Sequence, residues 1–213
     1  MPDCYANPQP SVTFAPMPMR VAVCVSGSGS NLAALLSAFP PANPEARVEL
    51  VLSDRPGARG LDRARTAGVP AVVLARPDDA GEWLARLDEA AVEFIVLAGY
   101  LKRVPAGVVA RYPGRIINIH PALLPAFGGK GMYGRRVHEA VLASGARVSG
   151  CTVHVVDEEY DRGPILAQTR VLVLPNDTPE SLAARVLEEE HRLLPAVVRE
   201  AARRRSSAAT PAP

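Results

Sequence analysis

Asn118 and His120 close the run Arg115-Ile116-Ile117-Asn118-Ile119-His120-Pro121. If that run is a strand, positions i and i+2 share a face, and an amide and an imidazole point into the same space. An amide N–H can hold a developing oxyanion, and an imidazole can take or give a proton near neutral pH. Pro121 and Pro125 stiffen the chain that follows. A second polar segment, Ser26-Gly27-Ser28-Gly29-Ser30-Asn31-Leu32, ends one apolar run and opens an amphipathic one. Its glycines let the backbone turn and approach a ligand closely. The helix that begins there offers free N–H groups and positive partial charge to an anion, and Ser30 and Asn31 add side-chain donors. The third segment, Thr152 to Pro164, carries Asp157, Glu158, Glu159 and Asp161 in a turn. A carboxylate from it that met His120 would orient the ring and raise its pKa.

The phosphate-type segment is not a dinucleotide fingerprint. Asp54 stands at the end of the second apolar run, where a ribose-binding acid would be, but Leu32 fills the place of the third glycine of G-x-G-x-x-G. No G-K-[ST] follows either, so an ordinary P-loop is excluded, and a mononucleotide-sized phosphate fits better.

Positioning these segments requires a regular scaffold. Short Val/Ile/Leu-rich runs at Val21–Val25, Val48–Leu52, Ala71–Leu74, Phe94–Leu97 and Ile116–Ile119 read as strands buried on both faces. Amphipathic stretches at Asn31–Ala38, Gly60–Ala67, Asp78–Ala91 and Ala106–Arg111 alternate with them as helices. This order predicts a doubly wound, mostly parallel Rossmann-like α/β sheet, with ligands beyond the carboxyl ends of its strands. A helix near Arg135–Ala143 follows a Pro/Gly-rich loop. Gly150–Val156 and Ile165–Val173 then read as an antiparallel hairpin added to the sheet. The last helix is expected from Pro179 to Ala201, capped by Asp177 or Thr178. Residues 1–18 are expected to be a disordered extension and 202–213 a disordered tail. A single domain over 19–201 lies between them, with a nucleotide-binding half (19–118) and a second half (119–201).

The composition fits a small-molecule enzyme. The chain has 213 residues, with 24 basic and 22 acidic side chains and a net charge of +2. A nucleic-acid binder usually shows a basic stripe, and the one dense cluster here, Arg203-Arg204-Arg205, reads as solvated. No stretch approaches the roughly 20 apolar residues that span a bilayer. Residues 1–18 lack the basic n-region of a signal peptide, so a cytoplasmic protein without membrane or nucleic-acid partners is expected. Cys4, Cys24 and Cys151 are scattered and suggest neither disulfides nor a zinc site. Cys24 reads as a small core residue, and His138, His154 and His191 read as structural. No metal is expected.

Taken together, S-G-x-G-S-N-L, N-I-H-P-x-L-L-P and the D-x-G-P turn resemble, in type and order, the folate-dependent formyltransferases. Within them the likeness is to the branch that uses glycinamide ribonucleotide, and it covers about Arg20 to Glu200. The resemblance implies that Asn118, His120 and Asp161 are catalytic. Gly27, Ser28, Gly29, Ser30, Asn31 and Glu190 would bind glycinamide ribonucleotide, Glu190 at the glycinamide end. Leu101, Lys102, Arg103, Val104, Asn118 and the stretch Asp157, Glu158, Glu159, Tyr160 and Asp161 would hold the reduced folate, with 10-formyltetrahydrofolate as co-substrate. A monomer or homodimer is expected. The loop Phe127–Tyr133 departs from the commonest, shorter form, and an arginine used by some members on the folate tail has no match around Asp79–Glu82. Deformylases and methionyl-tRNA formyltransferases share the three catalytic residues, but usually carry an additional domain. A non-enzymatic nucleotide-binding module would have no need of them.

Overall fold

The computed structural model describes residues 17–209. The expected N-terminal extension lies outside them except for Met17 and Pro18, as does Cys4. One seven-stranded sheet runs through the molecule in the order β3-β2-β1-β4-β5-β6-β7. The strands are β1 (Met19–Val25), β2 (Ala46–Ser53), β3 (Ala71–Val73), β4 (Phe94–Leu97), β5 (Ile116–His120), β6 (Val148–Val155) and β7 (Ile165–Leu172). The helices are α1 (Ser30–Ala38), α2 (Arg59–Thr66), α3 (Ala80–Glu89), α4 (Ala106–Arg111), α5 (Arg135–Ala143) and α6 (Pro179–Ala209). β1 to β5 pair in parallel, while β6 pairs antiparallel with both β5 and β7. The expected parallel sheet with an added antiparallel hairpin is therefore the observed one.

The residue alternation of β1 explains the two faces. Met19, Val21, Val23 and Val25 enter a core with Leu32 and Leu35 of α1, Leu61 of α2 and Leu194 and Val198 of α6. Ala22 and Cys24 point the other way, to Trp83 and Leu87 of α3 and Val108 of α4. Cys24 is fully buried there, as the sequence suggested. A third cluster joins Val141 of α5, Cys151 of β6 and Leu182 and Val186 of α6. Among the described residues, no helix is long and apolar enough to cross a membrane.

Of the two expected caps, Thr178 is the one that takes a backbone N–H at the start of α6. Thr178 Oγ1 accepts from the Ser181 N–H at 3.2 Å, while Asp177 Oδ1 accepts from the Ser181 hydroxyl at 2.7 Å. The far end corrects the sequence reading. α6 does not stop at Ala201 but continues to Ala209, so residues 202–209 are helix rather than disordered tail. Ala202 is 1% exposed in the first core. Arg199 and Arg203 both meet Glu45, at 2.9 and 3.0 Å, and Arg205 meets Glu93 at 2.8 Å. Arg203 and Arg205 are thus tied to the body rather than merely solvated. Residues 210–213 lie outside the described part.

Candidate active site

The carboxyl ends of β1, β4 and β5 open onto a cavity of about 780 Å³. At one end lies the loop between β1 and α1. Gly29 has φ 68°, and a Cβ there would stand 2.5 Å from the Gly60 Cα of α2, so only glycine allows this close crossing. Gly29 provides no side-chain cap for α1, and the first intrahelical bond runs from Ala33 N to Gly29 O at 3.0 Å. The N–H groups of Ser30, Asn31 and Leu32 precede that bond and have no intrahelical acceptor. Asn31 Nδ2 donates to Glu190 Oε2 at 2.6 Å, across from α6. Glu190 is 7% exposed, and burial pushes its pKa up to about 7 against the opposing Asn31 hydrogen bond. Asp54, weighed above as a ribose acid, instead accepts from Ser26 Oγ at 2.5 Å, and that hydroxyl accepts from the Leu101 N–H at 2.9 Å. Asp54 fastens two loops together and is absent from the cavity wall.

The centre of the cavity holds Asn118, His120 and Asp161. His120 Nε2 is 2.8 Å from the Phe127 carbonyl. A carbonyl only accepts, so Nε2 carries the proton and the neutral ring presents a bare Nδ1. That Nδ1 faces Asp161 Oδ2 at 3.6 Å. Asp161 is fixed from several sides. Gly129 N–H donates to Oδ2 at 2.8 Å, while Oδ1 lies 3.4 Å from both Asn118 Nδ2 and His154 Nε2. It is held in the left-handed region, φ 56°, a conformation that costs a non-glycine residue energy and that these contacts enforce. Burial works against its ionised form, but the bond to His154, the His120 charge and the Gly129 N–H outweigh it, and its pKa is lowered.

Asp161 pulls the pKa of His120 upward as expected, yet the net shift is downward. Burial comes first and lowers the pKa; Asp161 and the Phe127 carbonyl pull upward and do not compensate. The resting ring is neutral.

His154 had been read as structural, yet it belongs to this centre. β5 and β6 pair Asn118 with His154 across the strands, which puts both side chains on one face. His154 Nδ1 donates to its neighbour's carbonyl, Val155 O, at 2.9 Å, and Nε2 lies between Asn118 Nδ2 at 3.1 Å and Asp161 Oδ1 at 3.4 Å. The register of the hairpin against β5 was the signal that could have found it. His138, also expected to be structural, lines the cavity with its Nδ1 buried and unpartnered. Burial, then the His120 charge, lowers its pKa.

The other end of the cavity is walled by Leu101–Val104 and by Val156 to Asp161. Arg103 Nη2 donates to the Glu158 carbonyl, joining the two walls, and Asp157 Oδ1 accepts from the Glu159 N–H at 2.9 Å. Val104 and Leu97 make this end apolar. The structure brings every residue singled out in the sequence as catalytic, nucleotide-binding or folate-binding to this one cavity. Among the described residues, no group of three or more His, Cys, Asp or Glu is placed to hold a metal ion.

Comparison with known proteins gives this arrangement a context. The family described as formyl transferase matches residues 19–198. The chain is 48% identical over 190 residues to a chloroplastic phosphoribosylglycinamide formyltransferase of Arabidopsis thaliana, covering 86% of this chain and 65% of that protein. It therefore spans slightly under two thirds of that relative's length. A phosphoribosylglycinamide formyltransferase of Haemophilus influenzae is 37% identical, with 84% of this chain and 85% of the relative covered. The crystal structure of the enzyme of that name from Anaplasma phagocytophilum superposes with a TM-score of 0.81 at 40% identity, covering 87% of each chain. With its sheet order, its cavity at the strand ends and these relatives, the chain belongs to the formyl transferase family.

Proposed function

We propose that this chain transfers the formyl group of 10-formyltetrahydrofolate to the amine of glycinamide ribonucleotide, giving N-formylglycinamide ribonucleotide and tetrahydrofolate in purine synthesis. The observation that carries the reading is the single cavity. It has anion-ready N–H groups and Glu190 at one end, an apolar slot between two loops at the other, and Asn118, His120 and Asp161 between them. The names of the relatives support the same reaction. A cytoplasmic setting is part of the proposal, and cell fractionation tests it.

The slot fits a reduced folate in chemistry and size. Its wall is apolar, backbone of two loops is available to a heteroaromatic ring, and about 780 Å³ lies within the range of small-molecule sites. Leu101–Val104 and Asp157–Asp161 would hold the donor, which when bound supplies an activated formyl carbonyl. The N-terminus of α1 holds the ribonucleotide phosphate, and Glu190 takes the glycinamide end. Fixing both partners in one cavity removes much of the entropic barrier. Asn118 Nδ2 presents an N–H where the carbonyl oxygen gains charge. His120 is neutral and its bare Nδ1 takes the proton that the attacking amine sheds. The proton then lies between Nδ1 and the ionised Asp161, which stabilises the imidazolium only once it has formed, and it passes to the leaving folate nitrogen as that nitrogen's bond to the formyl carbon breaks. His154 and Gly129 hold Asn118 and Asp161 in place for both tasks.

Calorimetry tests the pairing of ligands. Glycinamide ribonucleotide and a 10-formyltetrahydrofolate analogue should each bind and should form a ternary complex, while NAD and NADP bind to neither end. Micromolar binding of NAD, or mutual exclusion of the two expected ligands, would overturn the proposal.

A further inference from the structure

The phosphate loop has a cation behind it that the mechanism above does not use. Arg63 of α2 donates from Nε to the Ser28 carbonyl at 2.8 Å. Its Cδ would lie 3.4 Å from a Cβ at Gly29, and one turn earlier the Gly60 N–H donates to Gly27 O at 3.1 Å. The missing Cβ atoms of Gly29 and Gly60 let α2 come this close. Arg63 has no acidic partner among the described residues, because the adjacent Asp62 is bound by Arg65 at 2.8 Å. The inner side of the same loop points to a ligand. The free N–H groups of α1 lie there, and Asn31, 7% exposed, keeps its Oδ1 buried without a donor. The cations of the cavity wall are committed elsewhere. Arg103 is on the Glu158 carbonyl, Arg135 on Glu139 and Glu180, Lys102 near Asp78, and Arg136 over the Tyr133 ring. Lys130 adjoins Gly129 at the reaction centre.

We infer that Arg63 is a positioning residue for the ribonucleotide phosphate. It lies outside the cavity lining, on the outer side of the loop. From there it fixes the Ser28 carbonyl away from the anion and sets a positive charge behind the N–H groups that receive it. The inference rests on the ribonucleotide reading above. The phosphate is a dianion above its second pKa of about 6, so a nearby cation acts on it and not on a neutral nucleoside, and salt screens the effect.

The test is calorimetric titration of wild type, Arg63→Gln and Arg63→Lys with glycinamide ribonucleotide and with the ribonucleoside lacking phosphate, at low and high salt. Gln can still donate to Ser28 O, so the loop keeps its tether while losing the charge. The expected result is a roughly two- to fivefold weaker Kd for the ribonucleotide in Arg63→Gln, the size of an exposed charge interaction. The nucleoside should be unaffected, the loss should shrink at high salt, and Arg63→Lys should recover most of the affinity. Equal losses for both ligands, no loss, or a Lys variant as weak as the Gln variant would overturn the assignment. Wild type that does not prefer the phosphorylated ligand would instead remove the ribonucleotide reading itself.

Discussion

Glu190→Gln separates the two things that Glu190 does. The carboxyl is 7% exposed and its pKa is moved by burial from 4.5 to about 7. At about 1.4 kcal/mol per tenfold change in an equilibrium, that displacement corresponds to on the order of 3 kcal/mol against the ionised form in the folded protein. A folded pKa above the unfolded one means that the neutral carboxyl favours folding. This stability is fully present below about pH 4.5 and is lost as pH rises through about 7. Gln imitates the neutral form. Its oxygen can still accept from Asn31 Nδ2, and its N–H can donate to the Asn31 Oδ1 that now lacks a partner. Thermal unfolding of ligand-free protein should therefore show no difference at pH 4, a gap that opens between pH 5 and 7, and a variant more stable by several degrees at pH 8. The same substitution should weaken ribonucleotide binding, because the amine end loses an ionisable acceptor. A Glu190→Gln protein no more stable than wild type at pH 8 would refute the reasoning, since Glu190 would then not be held against ionisation.

Asp161→Asn should lower kcat by about two to four orders of magnitude, the usual range for a positioned proton-transfer group. The ascending limb of its pH–rate profile should also move to lower pH, because His120, already lowered by burial, loses the one carboxylate that supports its charged form; a limb that stays in place would separate the two residues. Gly29→Ala should destabilise the fold and abolish ribonucleotide binding, since its Cβ meets Gly60 Cα at 2.5 Å and its φ of 68° is strained for alanine; a soluble variant with wild-type affinity would contradict this. Truncation after Ala201 should lower Tm by removing Ala202 from the core and two of the ion pairs to Glu45 and Glu93. An unchanged Tm would show that the end of α6 adds nothing to stability. His154→Leu should reduce kcat about tenfold with little change in KM, as Asn118 and Asp161 lose their shared support; equal loss in both constants would point to a broken fold.

The sheet was legible where burial is written locally. β4 and α4 begin and end where the apolar runs do, because Phe94–Leu97 is buried throughout and Pro105 starts α4. The chemistry of the site was legible where residue type and strand spacing suffice, as for Asn118 and His120. What stayed hidden depends on partners distant in sequence. Residues 202–209 carry Ala, Arg and Ser with no apolar periodicity, and their helix is held by Glu45 and Glu93, far along the chain. The sign of the His120 shift depends on how much of the ring the Phe127 loop and Asp161 bury, which spacing does not encode. His154 needed the register of β6 on β5.

The central claim is that one cavity joins a formyl donor to the amine of a ribonucleotide. A single-turnover experiment with 10-formyltetrahydrofolate labelled in the formyl carbon tests it directly, with glycinamide ribonucleotide, formyl-acceptor tRNA or buffer alone as acceptor. The label should appear on the ribonucleotide at a rate that Asn118→Ala cuts by ~10²–10³, with little release as formate and none on tRNA. Label released mainly as formate at the same rate with and without the ribonucleotide would contradict the account.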